Sequence, residues 1–163
     1  MSAFSPKTIQ SAAIEVLKNV PHRPFFCLPL SALLYANLKD NHAIDAKLVT
    51  GHLSFKGQFI FKQDFELAKG DHSEFKLWGG HAWVEVENTI WDLSFFRSLY
   101  SPKFTRPYRN ELLHIFGTGK GILALPGRKL AEAEFEYHPV EVLTDELATS
   151  IIQGIDKLLE IEW

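Results

Sequence analysis

Apolar residues recur at helical spacing near both ends of the chain. Ser5-Pro6 opens the first such segment, and Pro6 suits a first helical turn because its missing N–H is not needed there. The apolar residues that follow at intervals of three and four are Ile9, Ala12, Ala13, Val16 and Leu17. Thr144 is a good N-cap for a terminal segment of the same kind, which reaches Glu160. The pattern therefore predicts a helix at each end.

A second helical stripe follows Cys27. Its apolar positions are Leu30, Leu33, Leu34 and Leu38, and the turn signal Asp40-Asn41 comes after them. Pro29 is compatible with this helix only in its first turn, where a missing N–H costs nothing. The helix must therefore begin at or just after Cys27.

Alternating apolar and polar positions predict strands through the middle of the chain. The predicted strands are Ala46–Phe55, Gln58–Phe61, His81–Glu87, Thr89–Leu93, Gly121–Leu125 and Glu134–Val140. Most of 63–80 is predicted as loop, and 94–120 as irregular structure. This order of elements, with helices first, antiparallel strands next and a helix last, predicts one α+β domain spanning residues 1–163.

Composition excludes several classes of function. The 163 residues are 46% hydrophobic and 23% charged, which is typical of a globular domain. The formal net charge is −3 and no basic block of five residues occurs, so nothing favours nucleic-acid binding. One cysteine allows no intrachain disulfide and fits a reducing compartment. No apolar run approaches the roughly 20 residues of a membrane span, and 1–10 contains no signal-peptide core. We expect a soluble cytoplasmic protein with no membrane partner.

Three residues could together carry chemistry: Cys27, His81 and Asp92. A nucleophilic thiol needs a base, and the base needs a third group that fixes its orientation. Free N–H groups at a helix N-terminus favour a thiolate at Cys27. The alternative is a small buried hydrophobe, because the flanking residues are apolar and free cysteine is often buried.

The predicted hairpin decides whether the other two residues can meet. With a two-residue turn at Glu87-Asn88, odd-numbered residues of the first strand share a face with even-numbered residues of the second. His81 and Asp92 are then direct or diagonal cross-strand neighbours, within reach of each other. The opposite face, with Ala82, Val84, Val86, Thr89, Trp91 and Leu93, should pack on the core. Taken singly, His81 could be a structural histidine and Asp92 a strand-end cap.

Three segments resemble the transglutaminase-like core of the papain-like cysteine peptidase superfamily. The first segment is the helix that begins at Cys27 together with the following strand, which ends in Val49-Thr50-Gly51. The second is Gly80-His81-Ala82-Trp83-Val84-Glu85-Val86, and the third is Trp91-Asp92-Leu93. The similarity covers about residues 25–95. It implies an α+β papain-like fold, with the cysteine-bearing helix packed on an antiparallel sheet. It also implies that Cys27 is the nucleophile, His81 the general base and then acid, and Asp92 the orienting acid.

The resemblance implies a cysteine-dependent hydrolase that cleaves an amide or isopeptide bond through an acyl-enzyme, with no metal or organic cofactor. Its partner would be a peptide or small acyl substrate. The alternatives are acyl transfer to an amine and a catalytically silent binding module. The second is suggested because 19–26 contains neither the Gln of papain-like enzymes nor the Trp of transglutaminases. The Cys27 N–H can still act as an oxyanion donor, and Asn19 or His22 is a candidate for the second donor.

Other motifs predict less. Gly117-Thr118-Gly119-Lys120-Gly121 departs from a phosphate-binding loop at two positions and is better interpreted as a glycine turn. The histidines show no metal-ligand spacing, and Asp71-His72 lies in a polar stretch. Four arginines (Arg97, Arg106, Arg109, Arg128) form either an anion pocket or scattered surface charge. The aromatic residues between Phe95 and Phe116 either cover the core or line an acyl pocket.

Overall fold

Helices and antiparallel strands make up the computed structural model, which describes residues 5–69, 78–102, 109–118 and 121–160. The helices are α1 (Pro6–Asn19), α2 (Cys27–His42), α3 (Phe95–Leu99), α4 (Arg109–Phe116), α5 (Gly127–Glu132), α6 (Asp145–Gln153) and α7 (Ile155–Leu159). The strands are β1 (Lys47–Phe55), β2 (Gln58–Phe61), β3 (His81–Val86), β4 (Thr89–Asp92), β5 (Leu123–Pro126) and β6 (Phe135–Val142). The predicted α+β class is confirmed as an open antiparallel sheet with several helices.

Strand β1 organises the sheet because it pairs with three other strands, all antiparallel. β3 pairs with its first half, β2 with its last three residues and β6 with most of its length, while β4 and β5 extend the sheet beyond β3. The register with β6 shifts between Thr50 and Gly51, where the two backbones come very close. A Cβ at Gly51 would lie 1.9 Å from the carbonyl oxygen of His138, so this position requires glycine.

The β3–β4 hairpin has the predicted register. Val84 pairs with Trp91, Glu85 with Ile90 and Val86 with Thr89. The apolar face packs on the predicted core together with α1, α2 and α6. The other face is buried too, in a second cluster that includes Trp83, Ile90, Phe95, Leu99 and Phe135. The site residues on this second face therefore lie inside the molecule.

Three stretches differ from the sequence-based expectation. The region predicted as irregular contains α3 and α4, and α5 was not predicted. Short helices of this kind carry weak periodicity, and α5 buries only Leu130. The predicted terminal helix is interrupted at Gly154, whose N–H bonds to the carbonyl oxygens of Ser150 and Ile151. The interpretations of Asp71-His72, Phe104, Arg106, Tyr108 and Gly119-Lys120 fall outside the described residues.

Among the described residues, every helix is too short or too polar to cross a membrane.

Candidate functional site

Cys27 is the first residue of α2, as Pro29 in the first turn requires. The first N–H groups of a helix have no intrahelical acceptor. Cys27 therefore lies at a helix end whose backbone N–H groups are free to donate hydrogen bonds. Phe25, two residues earlier, has a φ of 60°, a conformation that costs a non-glycine residue free energy. Its N–H donates to Oγ of Ser98 at 2.9 Å, and this bond from α3 stabilises the strained turn that leads into Cys27.

His81 begins β3 and is fully buried. Its Nε2 lies 2.5 Å from Oδ2 of Asp92, which is also fully buried. The ring of Phe61 stacks on the imidazole, with centroids 4.8 Å apart and an interplanar angle of 9°. Nδ1 is buried and has no hydrogen-bond partner among the residues that the structure describes. The predicted pairing of His81 with Asp92 is therefore present, and the second imidazole nitrogen, Nδ1, is available for another partner.

Opposing effects act on the pKa of His81. Burial lowers it, but the charge of Asp92 and the hydrogen bond to its carboxylate raise it, and the nearby Cys27 thiol raises it further. The net result raises the pKa of His81 from 6.5 to about 10. These effects favour the charged form of the imidazole at neutral pH.

Asp92 has two structural roles. Its Oδ1 accepts hydrogen bonds from the N–H groups of Ser94 and Phe95 at 3.0 Å and from the Ser94 hydroxyl at 3.2 Å. These bonds satisfy donors at the start of α3. Its Oδ2 accepts from Tyr137 at 2.7 Å as well as from His81. Both sequence-based interpretations of Asp92, a cap and a partner for His81, therefore hold at once.

Tyr137 is a site residue that sequence reasoning missed. It comes from β6, and its hydroxyl donates to Asp92. Burial, together with the charge of Asp92 and this hydrogen bond, raises the pKa of Tyr137 well above its ordinary value, so the hydroxyl stays protonated. Because Tyr137 follows the core residue Phe135 by two positions, its side chain lies on the same face of the sheet as Phe135 and His81. The sequence alone did not indicate that β6 would pair with β1.

Cys27 opens onto a cleft of about 220 Å³. The described side chains around it are uncharged, and most are large and apolar: Phe25, Phe26, Leu28, Phe61, Trp78 and Leu158. Ser98 contributes a hydroxyl group, and Gly79 and Gly80 contribute backbone. Cys27 is only 7% exposed, and it lines this cleft.

Trp78 is the second missed residue. Its indole packs on Gly80, where a Cβ would lie 2.5 Å from Cζ2 of the ring. Its Nε1 is buried and finds no acceptor within the described part of the chain. A buried donor without a partner costs about 1–3 kcal/mol. The consecutive glycines before His81 are the sequence signal that could have indicated this close packing.

The two side chains suggested as oxyanion donors lie elsewhere. Asn19 donates to the carbonyl oxygen of Glu15 at 2.9 Å and lines a groove beside α1. His22 lines another cavity, next to Arg97. Neither is among the residues that line the Cys27 cleft. The suggestion was wrong because proximity in sequence does not determine which way the turn between α1 and α2 carries these side chains.

The other candidates are structural where the structure describes them. Arg97 donates to the carbonyl oxygens of Leu17 and Pro21, which anchors the end of α1. Arg109 and Arg128 are exposed. The aromatic residues Phe95, Phe96, Tyr100 and Phe116 pack in the second core cluster. Within the described ranges, no group of three or more His, Cys, Asp or Glu side chains is arranged to hold a metal ion.

Comparisons of the chain with protein-family models, with curated proteins and with solved structures found no match. The resemblance to transglutaminase-like proteins therefore stays a prediction, and the site is interpreted from its own geometry.

Proposed function

We propose that this protein is a cysteine-dependent acyl hydrolase in which Cys27, His81 and Asp92 act together. One observation carries the proposal: the buried His81 imidazole pairs with the Asp92 carboxylate at 2.5 Å, its other nitrogen has no partner among the described residues, and Gly80, next to it in the chain, lines the same cleft as Cys27. Structural histidines need no nucleophile beside them, and a purely structural cysteine needs neither a cleft nor a charged neighbour.

The proposed reaction has two halves. In the resting ion pair His81 already holds the thiol proton on Nδ1, and the sulfur attacks the substrate carbonyl carbon as a thiolate. The bond from that carbon to the leaving group breaks, and the leaving group takes the proton from Nδ1. Water then gives a proton to Nδ1 and its oxygen attacks the acyl carbon. The bond from that carbon to sulfur breaks, which releases the carboxylic acid and restores the thiolate beside the protonated imidazole. Asp92 holds the ring in place and stabilises its charged form throughout.

A papain-like architecture belongs to the same proposal. It is supported by the packing of α2 against β3 and by the chain order of the three residues, with the thiol on a helix and the other two on neighbouring antiparallel strands. This arrangement fits hydrolysis of an amide or isopeptide bond, because water accepts the acyl group and no binding site for a second substrate is needed.

The thiol should be reactive at low pH. An ordinary thiol with a pKa near 8.5 is only about 0.3% ionised at pH 6. A protonated imidazole beside the thiol favours the thiolate, so we expect sub-stoichiometric iodoacetamide at pH 6 to label Cys27 at least about ten times faster than a free cysteine derivative. Mass spectrometry measures the rate.

Two histidine variants sharpen this test. His81→Ala should reduce labelling to the rate of the free thiol. His138→Ala is the matched control, because His138 hydrogen-bonds Ser54 and does not line the cleft. Equal labelling rates in wild type and His81→Ala would contradict the proposal and favour a binding module.

Trp78 supplies the proposed second oxyanion donor, beside the Cys27 N–H. Trp78→Phe keeps an aromatic side chain and removes the N–H, so we expect kcat/KM for an activated ester to fall about 10²–10³-fold. The rate of thiol labelling should not change, because labelling forms no oxyanion. Steady-state kinetics measure the first quantity and mass spectrometry the second.

Trp91→Phe is the control for Trp78. Trp91 also has a buried Nε1 with no partner in the described chain, but it lies in the core away from the cleft. If both variants lose activity equally, Trp78 is not the donor.

A further inference from the structure

The walls of the Cys27 cleft determine which acyl group can reach the thiol. Phe61 covers one side of the imidazole, and Phe25 packs edge-on against Phe61 with ring centroids 6.3 Å apart. Leu158 of α7 contributes aliphatic surface. Among the described lining residues, no charged side chain is present to pair with a charged substrate. A charged group that entered this cleft would lose its hydration, and none of the described lining side chains could serve as its counterion.

The size of the cleft limits the acyl group further. Its volume of about 220 Å³ lies below the roughly 300–1,000 Å³ of pockets that bury drug-sized ligands. An apolar cavity of about 150 Å³ is enough to bind benzene. The cleft therefore has room for one short aliphatic chain or one aromatic ring attached to the carbonyl.

From these observations we infer that the site is selective for small, uncharged, apolar acyl groups, up to about the size of a benzoyl group. This inference rests on the proposed function, since it assigns the acyl part of the substrate of the same thiol. The acyl chain lies between Phe25, Phe61 and Leu158, with its carbonyl carbon at Sγ of Cys27. The leaving group extends out through the mouth of the cleft.

Matched p-nitrophenyl esters test the inference on the wild-type protein. The butyrate and the hydrogen succinate have acyl chains of equal length, but the second ends in a carboxylate. We expect kcat/KM for the butyrate to exceed that for the succinate at least about 100-fold, because the carboxylate would be desolvated without a partner. The butyrate should also exceed the acetate at least about tenfold, since each buried methylene adds discrimination.

A lysine at the cleft should change the preference. Leu158→Lys places an ammonium group there on a flexible stem, so the butyrate-to-succinate ratio should fall at least about tenfold. Leu159→Lys is the control: Leu159 is also partly buried on α7, but it lines the separate groove beside α1 and α2. It should leave the ratio unchanged. If Leu158→Lys does not fold, Leu158→Ala serves instead, and its larger cleft should raise the benzoate-to-acetate ratio.

The outcomes separate the inference from the proposed function. If no ester acylates Cys27 and thiol labelling is slow, the proposed function itself is wrong. If Cys27 is acylated but the succinate reacts as well as the butyrate, only the inference on the acyl group is overturned. The inference on the acyl group is also overturned if Leu158→Lys and Leu159→Lys change the butyrate-to-succinate ratio equally.

Discussion

Cys27→Ala is expected to lower the hydrolysis of p-nitrophenyl butyrate by about 10⁴-fold or more, the usual loss when one member of a catalytic triad is removed. The reason is chemical: alanine has no nucleophile, and the rest of the cleft can only bind the ester. Single-turnover kinetics measure the loss, and intact-protein mass spectrometry should show an acyl adduct on the wild type that the variant lacks.

The fold should tolerate this substitution. Alanine suits a helix N-terminal turn, and removal of one sulfur leaves only a small gap beside the open cleft. We expect the free energy of unfolding to change by less than about 1.5 kcal/mol. A Cys27→Ala protein that still hydrolyses the ester at the wild-type rate would show that the reaction takes place elsewhere.

Asp92→Asn is expected to have the second large effect, on both activity and stability. An amide cannot stabilise the protonated imidazole as a carboxylate does, and we expect kcat to fall by about 10⁴-fold. His81 would also lose its buried counterion, and breaking a buried pair in this way costs about 3–5 kcal/mol. Ester kinetics and urea denaturation measure the two losses.

The pH dependence of stability gives an independent test of the same pair. Folded His81 has a pKa of about 10, whereas unfolded histidine titrates near 6.5. Between these values the folded state holds a proton that the unfolded state has released. The stabilisation is complete below about pH 6.5 and is lost as pH rises toward 10, by at most about 1.4 kcal/mol per pH unit. Asp92→Asn should remove most of this slope in urea denaturation series.

Tyr137→Phe is the matched control. It deletes one hydrogen bond to Asp92 but leaves the contact between Asp92 and His81. A hydrogen bond to a charged group contributes about 1.5–3 kcal/mol, so Tyr137→Phe should be the milder variant and should keep the pH slope. A slope that is the same in wild type and Asp92→Asn would mean that His81 is not held in its charged form by Asp92.

The local parts of the site could be predicted from the sequence. Pro29 fixed the start of α2 because proline is acceptable only in a first helical turn. The two-residue turn after β3 fixed the face shared by His81 and Asp92 because side chains alternate along a strand. Both arguments depend on constraints between residues a few positions apart.

The surroundings of the imidazole depend on contacts that are distant in sequence. Phe61 reaches His81 from β2, which returns along β1 after the turn at Gly57, whereas Tyr137 reaches it from β6, whose pairing with β1 no local pattern specifies. Trp78 lies in a segment predicted as loop, where no periodicity places a side chain. The start of α3 did carry a signal, since an aspartate followed by Ser94 is typical of a helix cap. The sequence offers a strand-end cap and a partner for His81 as alternatives for Asp92, and the carboxylate serves both, since the turn that it caps is the start of α3.

The double role of Asp92 affects how natural variants of this protein should be interpreted. A lineage that lacked the proposed chemistry would still be under selection to keep this carboxylate, because the start of a helix depends on it. An intact Asp92 in a diverged copy therefore says little about whether that copy is an enzyme. The thiol contributes far less to folding, so its retention or loss is the more informative marker.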